Sequence, residues 1–365
     1  MIYFDHAATT KMSSAALQVY QAVARNFFAN SESLHQAGNA AGQLIQEART
    51  KLAARFQLNP EGIIFTSGGT AANQLGIAAL AQGMRQREIL VSPLEHASVY
   101  QILPKLAQQE HYQIKKLPVD QQGQVTPAIL TAAITENTGL IVIQAVNPIV
   151  GVRQPIASLQ AVAANRQLPL FVDAVQGIGK IPLNLSQVAG FSASAHKFNG
   201  PKNNGFLYLA PTYPTTPEFQ NVFQQQGFLP GTLDTPGIIS MLTALTDSLA
   251  NMPQTLQQLQ LLRKRLYQGL ATSCRRIGRD SDYPGICGLL LPHLTGQEVA
   301  TRLGQQGICL STVSACSIKD PRPDPTLTAL GLTAAESERY LRLSFGPENT
   351  LAEVDQVVAA LNQYC

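Results

Sequence analysis

Residues 192–205 read SASAHKFNGPKNNG, with Lys197 set between His196 and Phe198 and ahead of a glycine–proline turn. Only 13% of this chain is charged. A solvated lysine needs no such company. An amine that must meet a carbonyl inside a pocket does, because desolvated lysines are suited to Schiff-base chemistry. Other stretches carry chemistry of compatible kinds. In TSGGTAANQLGI (66–77) glycines stand where a predicted strand gives way to a predicted helix. Such a turn either cradles an anion on free backbone N–H groups, with Thr70 adding a hydroxyl, or is a plain strand–helix turn with Thr70 as N-cap. It matches neither GxGxxG nor a Walker A motif. Asp173 closes the apolar run of FVDAVQ (171–176). The carboxyl end of a parallel strand is where open α/β sheets bind ligands, so Asp173 either pairs with a pyridinium N–H or caps the next turn. His96 in SPLEHASVY (92–100) is a helix cap or a ring stacked on a planar cofactor and able to shuttle protons. Cys316 lies among small polar residues in STVSACSIKDPRPDP (311–325) and reads as a reactive thiol on an exposed loop, unlike Cys309 in the apolar run GICL. Arg342 in YLRLSFG (340–346) either clamps a carboxylate or makes an internal ion pair.

These residues need a scaffold, and the chain supplies an alternating one. Apolar runs GIIFTS (62–67), EILVS (88–92), GLIVIQAV (139–146), LPLFVDAV (168–175) and GFLYLA (205–210) are separated by helical stretches at 73–86, 126–135 and 156–167. The alternation predicts an α/β layer with a mainly parallel sheet, and the continuously apolar strands predict burial on both faces. Beyond residue 250 the texture changes to a smaller α+β unit. One helix is expected over 255–272, then GLLLP (288–292), a helix near 297–306, ICLS (308–311) and a final helix near 351–363. The resulting expectation is a large domain of residues 15–250 and a small one of 1–14 with 251–365, with a soft boundary near 245–255.

Composition narrows the function classes. The formal net charge is +3 with no Lys/Arg-rich block, which argues against nucleic acid as a direct partner. No run of 18 apolar residues predicts a membrane span, and the start MIYFDHAATTK lacks the pattern of a secretion signal. The five cysteines contain no CxxC pair or His/Cys cluster. They are therefore expected to be free thiols in a reducing, cytoplasmic setting, with no metal site.

Taken in order, FDHAATT (4–10), SESLHQAG…EAR (31–49), TSGGTAAN (66–73), EH (95–96), VDAVQ (172–176), SASAHKFNGPKNNGFLY (192–208), GT (231–232), SACS (314–317) and LRLSFG (341–346) resemble the NifS-like cysteine desulfurases, class-V aminotransferases within the fold type I pyridoxal-phosphate enzymes. The resemblance implies a seven-stranded-type sheet and pyridoxal 5'-phosphate as cofactor. It implies that Lys197 carries the cofactor covalently, that Ser194, His196, Gly69 and Thr70 hold its phosphate, and that Asp173 pairs with the ring nitrogen. Gln176 would meet the ring hydroxyl, His96 would stack on the ring, and Arg342 would hold the substrate carboxylate. Thr232 would reach the phosphate of a neighbouring subunit, which implies a homodimer. The reaction would take sulfur from L-cysteine, leaving a persulfide on Cys316 and releasing L-alanine. The sulfur would pass to an acceptor protein of Fe–S cluster assembly or tRNA thiolation. The longer spacing from SACS to ALG (329–331) fits the branch with the longer cysteine loop.

The chain departs from the family pattern in three places. VNPIVG (146–151) stands for VNNEIG, so Pro148 and Ile149 replace an Asn and a Glu; Leu229 and Pro230 replace an Arg-Ser pair before the GT; and Ala71 replaces a Glu. Proline offers no side-chain amide, and a lost charged hydrogen bond costs about 1.5–3 kcal/mol. Two alternatives to desulfuration stay open: another lyase or aminotransferase reaction on the same scaffold, and a partner-dependent or degenerate sulfur-relay paralogue.

Overall fold

Every residue of the expected apolar runs that forms a strand is buried. The computed structural model describes residues 1–313 and 324–365. Strand β1 (Ile2–Tyr3) and helices α1 (Ser14–Asn26) and α2 (Gln36–Phe56) precede the alternation. It runs β2 (Ile63–Thr66), α3 (Gly69–Gly83), β3 (Glu88–Val91), α4 (Ala97–Glu110), β4 (Gln113–Lys116), α5 (Pro127–Ala133), β5 (Thr138–Gln144), α6 (Ile156–Asn165), β6 (Leu170–Asp173), β7 (Gly190–Ser194) and β8 (Gly205–Leu209). Then follow α7 (Thr235–Gly269), β9 (Arg275–Ile277), β10 (Ile286–Leu290), α8 (Gly296–Gln305), β11 (Ile308–Cys309), α9 (Pro325–Ala329), α10 (Ala334–Glu338), β12 (Tyr340–Ser344) and α11 (Leu351–Leu361).

Strands β2 to β8 form one seven-stranded sheet in the order β2-β8-β7-β6-β5-β3-β4. Only β8 runs against its neighbours; the other pairings are parallel. The α/β architecture with a mainly parallel sheet is thus as expected. Two of its strands carried no strong signal. β4 is QIKK on the sheet edge and half-exposed, where charge discourages further pairing. β7 is GFSAS, small side chains in a fully buried strand. The C-terminal part builds a three-stranded antiparallel sheet, β12-β10-β9, while β1 pairs with β11.

Two expectations are corrected here. Helix α7 starts at Thr235, capped by Asp234, and runs 35 residues with Pro253 inside it. The stretch expected over 255–272 is only its second half, and the change of texture at 245–255 falls within one continuous helix. An internal proline reads as a break, but packing of α7 on α1, α2 and α11 carries the helix through it. The second correction concerns the thiols. Cys274 and Cys365 form a disulfide spanning 91 residues, with Cα atoms 5.5 Å apart. Among the described residues the free cysteines are Cys287, buried, and Cys309, which is only partly buried. The pairing arises because α11 packs on α7 and Asn362 bonds both Gly269 and Ala271, bringing the chain's last residue to the turn after α7.

Candidate active site

Lys197 ends a short 3-10 turn, Ala195–Lys197, directly after β7. Its Nζ donates to the carbonyls of Ala7 and Ala8 at 2.7 and 2.8 Å. The N-terminal AATT segment therefore folds over the lysine turn. Thr10 ties the two together: its backbone N–H and hydroxyl donate to the His196 carbonyl, and its Oγ1 accepts from Asn199 N. Asn199 takes a left-handed conformation with φ 63°, where Asn is tolerated. Gly200 follows because a Cβ there would lie 2.8 Å from that of Ala195. The FNG run closes the lysine turn on itself, with the N–H groups of Phe198 and Gly200 both donating to the Ala195 carbonyl.

Around Lys197 lies a cavity of about 230 Å³ at the carboxyl ends of β2, β6 and β7, where α3 and α4 begin. It is lined by Gly69, Thr70, His96, Asp173, Gln176, Ser194, His196, Lys197 and Arg342, and also by Asn73, Ser98, Gln144 and Pro148. Nine of the residues picked out from the sequence are thus brought together. Thr232 is not among them; it is exposed on the loop before α7. Cys316 lies outside the described residues.

Helix α3 has Gly68 as its N-cap, at φ 136° and with no side-chain cap bond. Thr70 is inside the helix, which corrects its reading as the cap. The first N–H groups of α3 are left for another acceptor, and a helix N-terminus favours an anion. The approach is close: a Cβ on Gly68 would lie 3.4 Å from Ser194 Oγ, and one on Gly69 would meet Val175 at 2.6 Å. His196 bonds Thr9 Oγ1 through Nδ1. Burial, then Lys197 and Lys180, push its pKa down to about 4, so the ring is neutral at ordinary pH.

Asp173 is buried at the end of β6. Its Oδ1 accepts from Val175 N at 3.0 Å, the capping bond of the turn, and Oδ2 accepts from Asn73 Nδ2 at 2.8 Å. Asn73, on α3, also donates to Ser98 Oγ. His96 is both cap and lining residue. It is the N-cap of α4, and its Nδ1 accepts from Ser98 N at 3.1 Å. That bond leaves Nε2 to carry the proton of the neutral ring. Burial first, with Lys197 adding to it and Asp173 opposing, lowers the His96 pKa.

Arg342, in β12, is 1% exposed. Its Nη2 donates to Asp5 Oδ1 at 2.8 Å and its Nη1 to the Pro148 carbonyl at 3.0 Å. Its Nε is buried and has no hydrogen-bond partner among the described residues. The ion pair read from the sequence exists, and the guanidinium also faces the cavity. At the departures, Asn147 Oδ1 accepts from the N–H groups of Ile149 and Val150, and Ile149 sits in an apolar cluster.

The sequence reading assigned no role to four residues that build the site. Asp5 pairs with Arg342, and Asn73 holds Asp173. Glu95 is fully buried and accepts from Gln144 N; burial and then the Asp173 charge hold its carboxyl well above the usual range. Lys180 donates to Gln176 at 2.6 Å. The strongest available signal was position: Asp5 and Asn73 fall inside FDHAATT and TSGGTAAN, and Lys180 stands four residues beyond Gln176. Among the described residues no His/Cys/Asp/Glu group could hold a metal, and no helix is long and apolar enough to cross a membrane.

Known proteins share this arrangement of chain and fold. The model of the family described as aminotransferase class-V matches residues 2–357. The putative cysteine desulfurase NifS of Bacillus subtilis is 33% identical over 98% of this chain and 93% of its own length. The IscS-like cysteine desulfurase of Mycobacterium tuberculosis is 31% identical, covering 99% of this chain and 95% of the relative. Among solved structures, a NifS-like protein superposes with a TM-score of 0.91 at 29% identity, covering 99% of this chain and 98% of that one. SspA, solved in complex with cysteine, superposes with a TM-score of 0.82 at 27% identity over 96% of this chain and all of its own.

Proposed function

We propose a reaction for this chain, which belongs to the aminotransferase class-V family and, within it, to the NifS-like cysteine desulfurases: it removes sulfur from L-cysteine, using pyridoxal 5'-phosphate, and releases L-alanine. The observation that carries the proposal is one cavity holding a lysine amine, a buried carboxylate, an uncapped helix N-terminus and a buried guanidinium.

The residues fit the cofactor. The free N–H groups of α3 at Gly69 and Thr70, with Ser194 and the neutral His196, suit a phosphate. Asp173 suits the ring nitrogen, the N–H of Gln176 the ring hydroxyl, and His96 one ring face. Thr232, exposed in a single chain, would serve the phosphate site of a second copy in a homodimer. Pyridoxal phosphate, when bound, supplies an electron sink for charge developing at the substrate's Cα. This chain's own groups do the rest. Arg342 holds the substrate carboxylate and so sets which Cα bond faces Lys197. The Lys197 amine takes the Cα proton and returns it to the carbon skeleton. His96, with its proton on Nε2, serves proton transfer at the substrate. The Cys316 thiolate attacks the substrate sulfur; the C–S bond breaks, an S–S bond forms, and the skeleton leaves as alanine with one more C–H bond. That transfer needs no outside oxidant. Only later release of the persulfide sulfur consumes a thiol or an acceptor protein, of Fe–S assembly or tRNA thiolation.

Residues 15–250 would form the cofactor-binding domain and 1–14 with 251–365 the smaller one. Phe4 and Ala7 pack in one apolar cluster with residues between Leu259 and Leu361, which Val146 and Ile181 join from the larger unit; that packing supports grouping the N-terminal segment with the C-terminal part. The test is to supply the purified protein with pyridoxal phosphate, reductant and L-cysteine, and to measure alanine and sulfide together. Equal yields that vanish in Cys316→Ala are expected. Products that persist in the variant would shift the reading to another reaction of this scaffold. No product from cofactor-loaded protein would favour a partner-dependent relay, the reading to which Pro148 and Leu229 point.

A further inference from the structure

The Gln176 amide is gripped from both ends. Its Nε2 donates to the Ala7 carbonyl at 2.7 Å, and its Oε1 accepts from Lys180 Nζ at 2.6 Å. The same Ala7 carbonyl accepts from Lys197 Nζ. Lys180, Gln176, Ala7 and Lys197 thus form one hydrogen-bonded chain behind the cavity. Lys180 does not line that cavity itself. It lies in the wall of a second, larger hollow of about 650 Å³, with its Nζ 5.9 Å from the centre of the Tyr283 ring. Its charged surroundings are mostly cationic. Lys197 and Arg342 are the charges that act on it, and its own charge is felt by His6 and His196. Asp5 is engaged with Arg342, and Glu348, which lines the same hollow as Lys180 and Asp247, lies beside His6. Among the described residues Lys180 has no carboxylate partner. Burial, with Lys197 and Arg342, lowers its pKa well below that of a solvated amine.

We infer that Lys180 is a positioning residue of this site, which locks the Gln176 amide with its N–H side inward and sets a second positive charge behind the Lys197 amine. The inference rests on the cofactor reading above. While Lys180 is protonated, the amide whose carbonyl it holds cannot turn over, and Gln176 presents a donor to the ring side. A cation nearby disfavours the protonated form of the nitrogen that Lys197 contributes. Lys197 is then ready as a base at a lower pH than it would otherwise be.

The experiment is a pH titration of the visible absorption band of the cofactor-loaded protein without substrate, for the parent and for Lys180→Met, Lys180→Gln and Lys180→Arg. The expected result is a midpoint raised by roughly one pH unit in the Met and Gln variants and restored in the Arg variant. With L-cysteine, kcat should fall more than KM rises. Should Lys180→Met fail to fold, the Gln and Arg pair carries the comparison. A parent midpoint retained in both neutral variants would overturn the inference while leaving the cofactor reading intact. A parent protein that takes up no cofactor would sink that reading, and this inference with it.

Discussion

In the proposed function Arg342 is the residue that holds the substrate carboxylate. It is buried, holds Asp5 and the Pro148 carbonyl, and faces the cavity. Lysine keeps the charge but not the forked donor geometry. Arg342→Lys is therefore expected to weaken L-cysteine binding about 10- to 100-fold, as for one lost charged hydrogen bond, measured as KM with the cofactor spectrum unchanged. Arg342→Ala should also lower thermal stability, because it leaves Asp5 without its ion-pair partner. Glu95 makes a prediction of the opposite kind. Its carboxyl, raised above 4.5 by burial and then by Asp173, accepts one N–H, while Oε2 has no partner among the described residues. A group whose folded pKa is raised contributes stability that is full below its unfolded pKa and is lost as pH rises through the folded one. Glu95→Gln keeps the acceptor and removes the titration. Urea unfolding midpoints should then fall less between pH 5 and pH 8 in the variant than in the parent. An equal fall in both would mean that Glu95 is ionised in the folded state.

At the scale of elements, the start of α3 is placed by contact and not by a cap. Gly69 exists because a Cβ there meets Val175 at 2.6 Å. Gly69→Ala should push the helix N-terminus away from Ser194 and cost about 1–3 kcal/mol of overpacking. The readout is cofactor retention after dialysis, which should fall well before the fold is lost. The other element-scale device is the Cys274–Cys365 bond, which closes a loop of 91 residues and ties α11 to the end of α7. Chain entropy allows such a loop up to ~4–5 kcal/mol of stabilisation. Reducing the protein, or changing both cysteines to serine, should lower the denaturant midpoint to the same degree and leave the cavity's chemistry untouched. A reductant-insensitive midpoint would show that the α7–α11 packing needs no bond.

The whole molecule presents Leu34, Phe28 and Phe223 at 93%, 79% and 97% exposure. Ser31 and Glu32 share one hollow with Phe223 and Leu233. Large apolar side chains so exposed favour a partner surface. With Thr232 outside its own chain's cavity, a second copy is the occupant that fits the proposed function. Sedimentation is expected to give a dimer. A monomer retaining cofactor and turnover would remove Thr232 from the site.

What the sequence by itself determined was the alternating α/β layer, the lysine turn and the residues most of the cavity needs. Most of the sheet's buried strands are apolar runs, and tight turns favour Asn, Gly and Pro, so these features are written locally. It misplaced the start of α7, since Pro253 looks like an end when only neighbours in the chain are read. It also left Cys274 and Cys365 unpaired, and gave Asp5, Asn73, Glu95 and Lys180 no task. Those roles are decided by contacts between residues far apart in the chain: 337 positions from Asp5 to Arg342, 100 from Asn73 to Asp173 and 91 between the cysteines. Local pattern specifies which elements form. Only their packing specifies which charges meet, and meeting is what turns a lysine among small residues into a site.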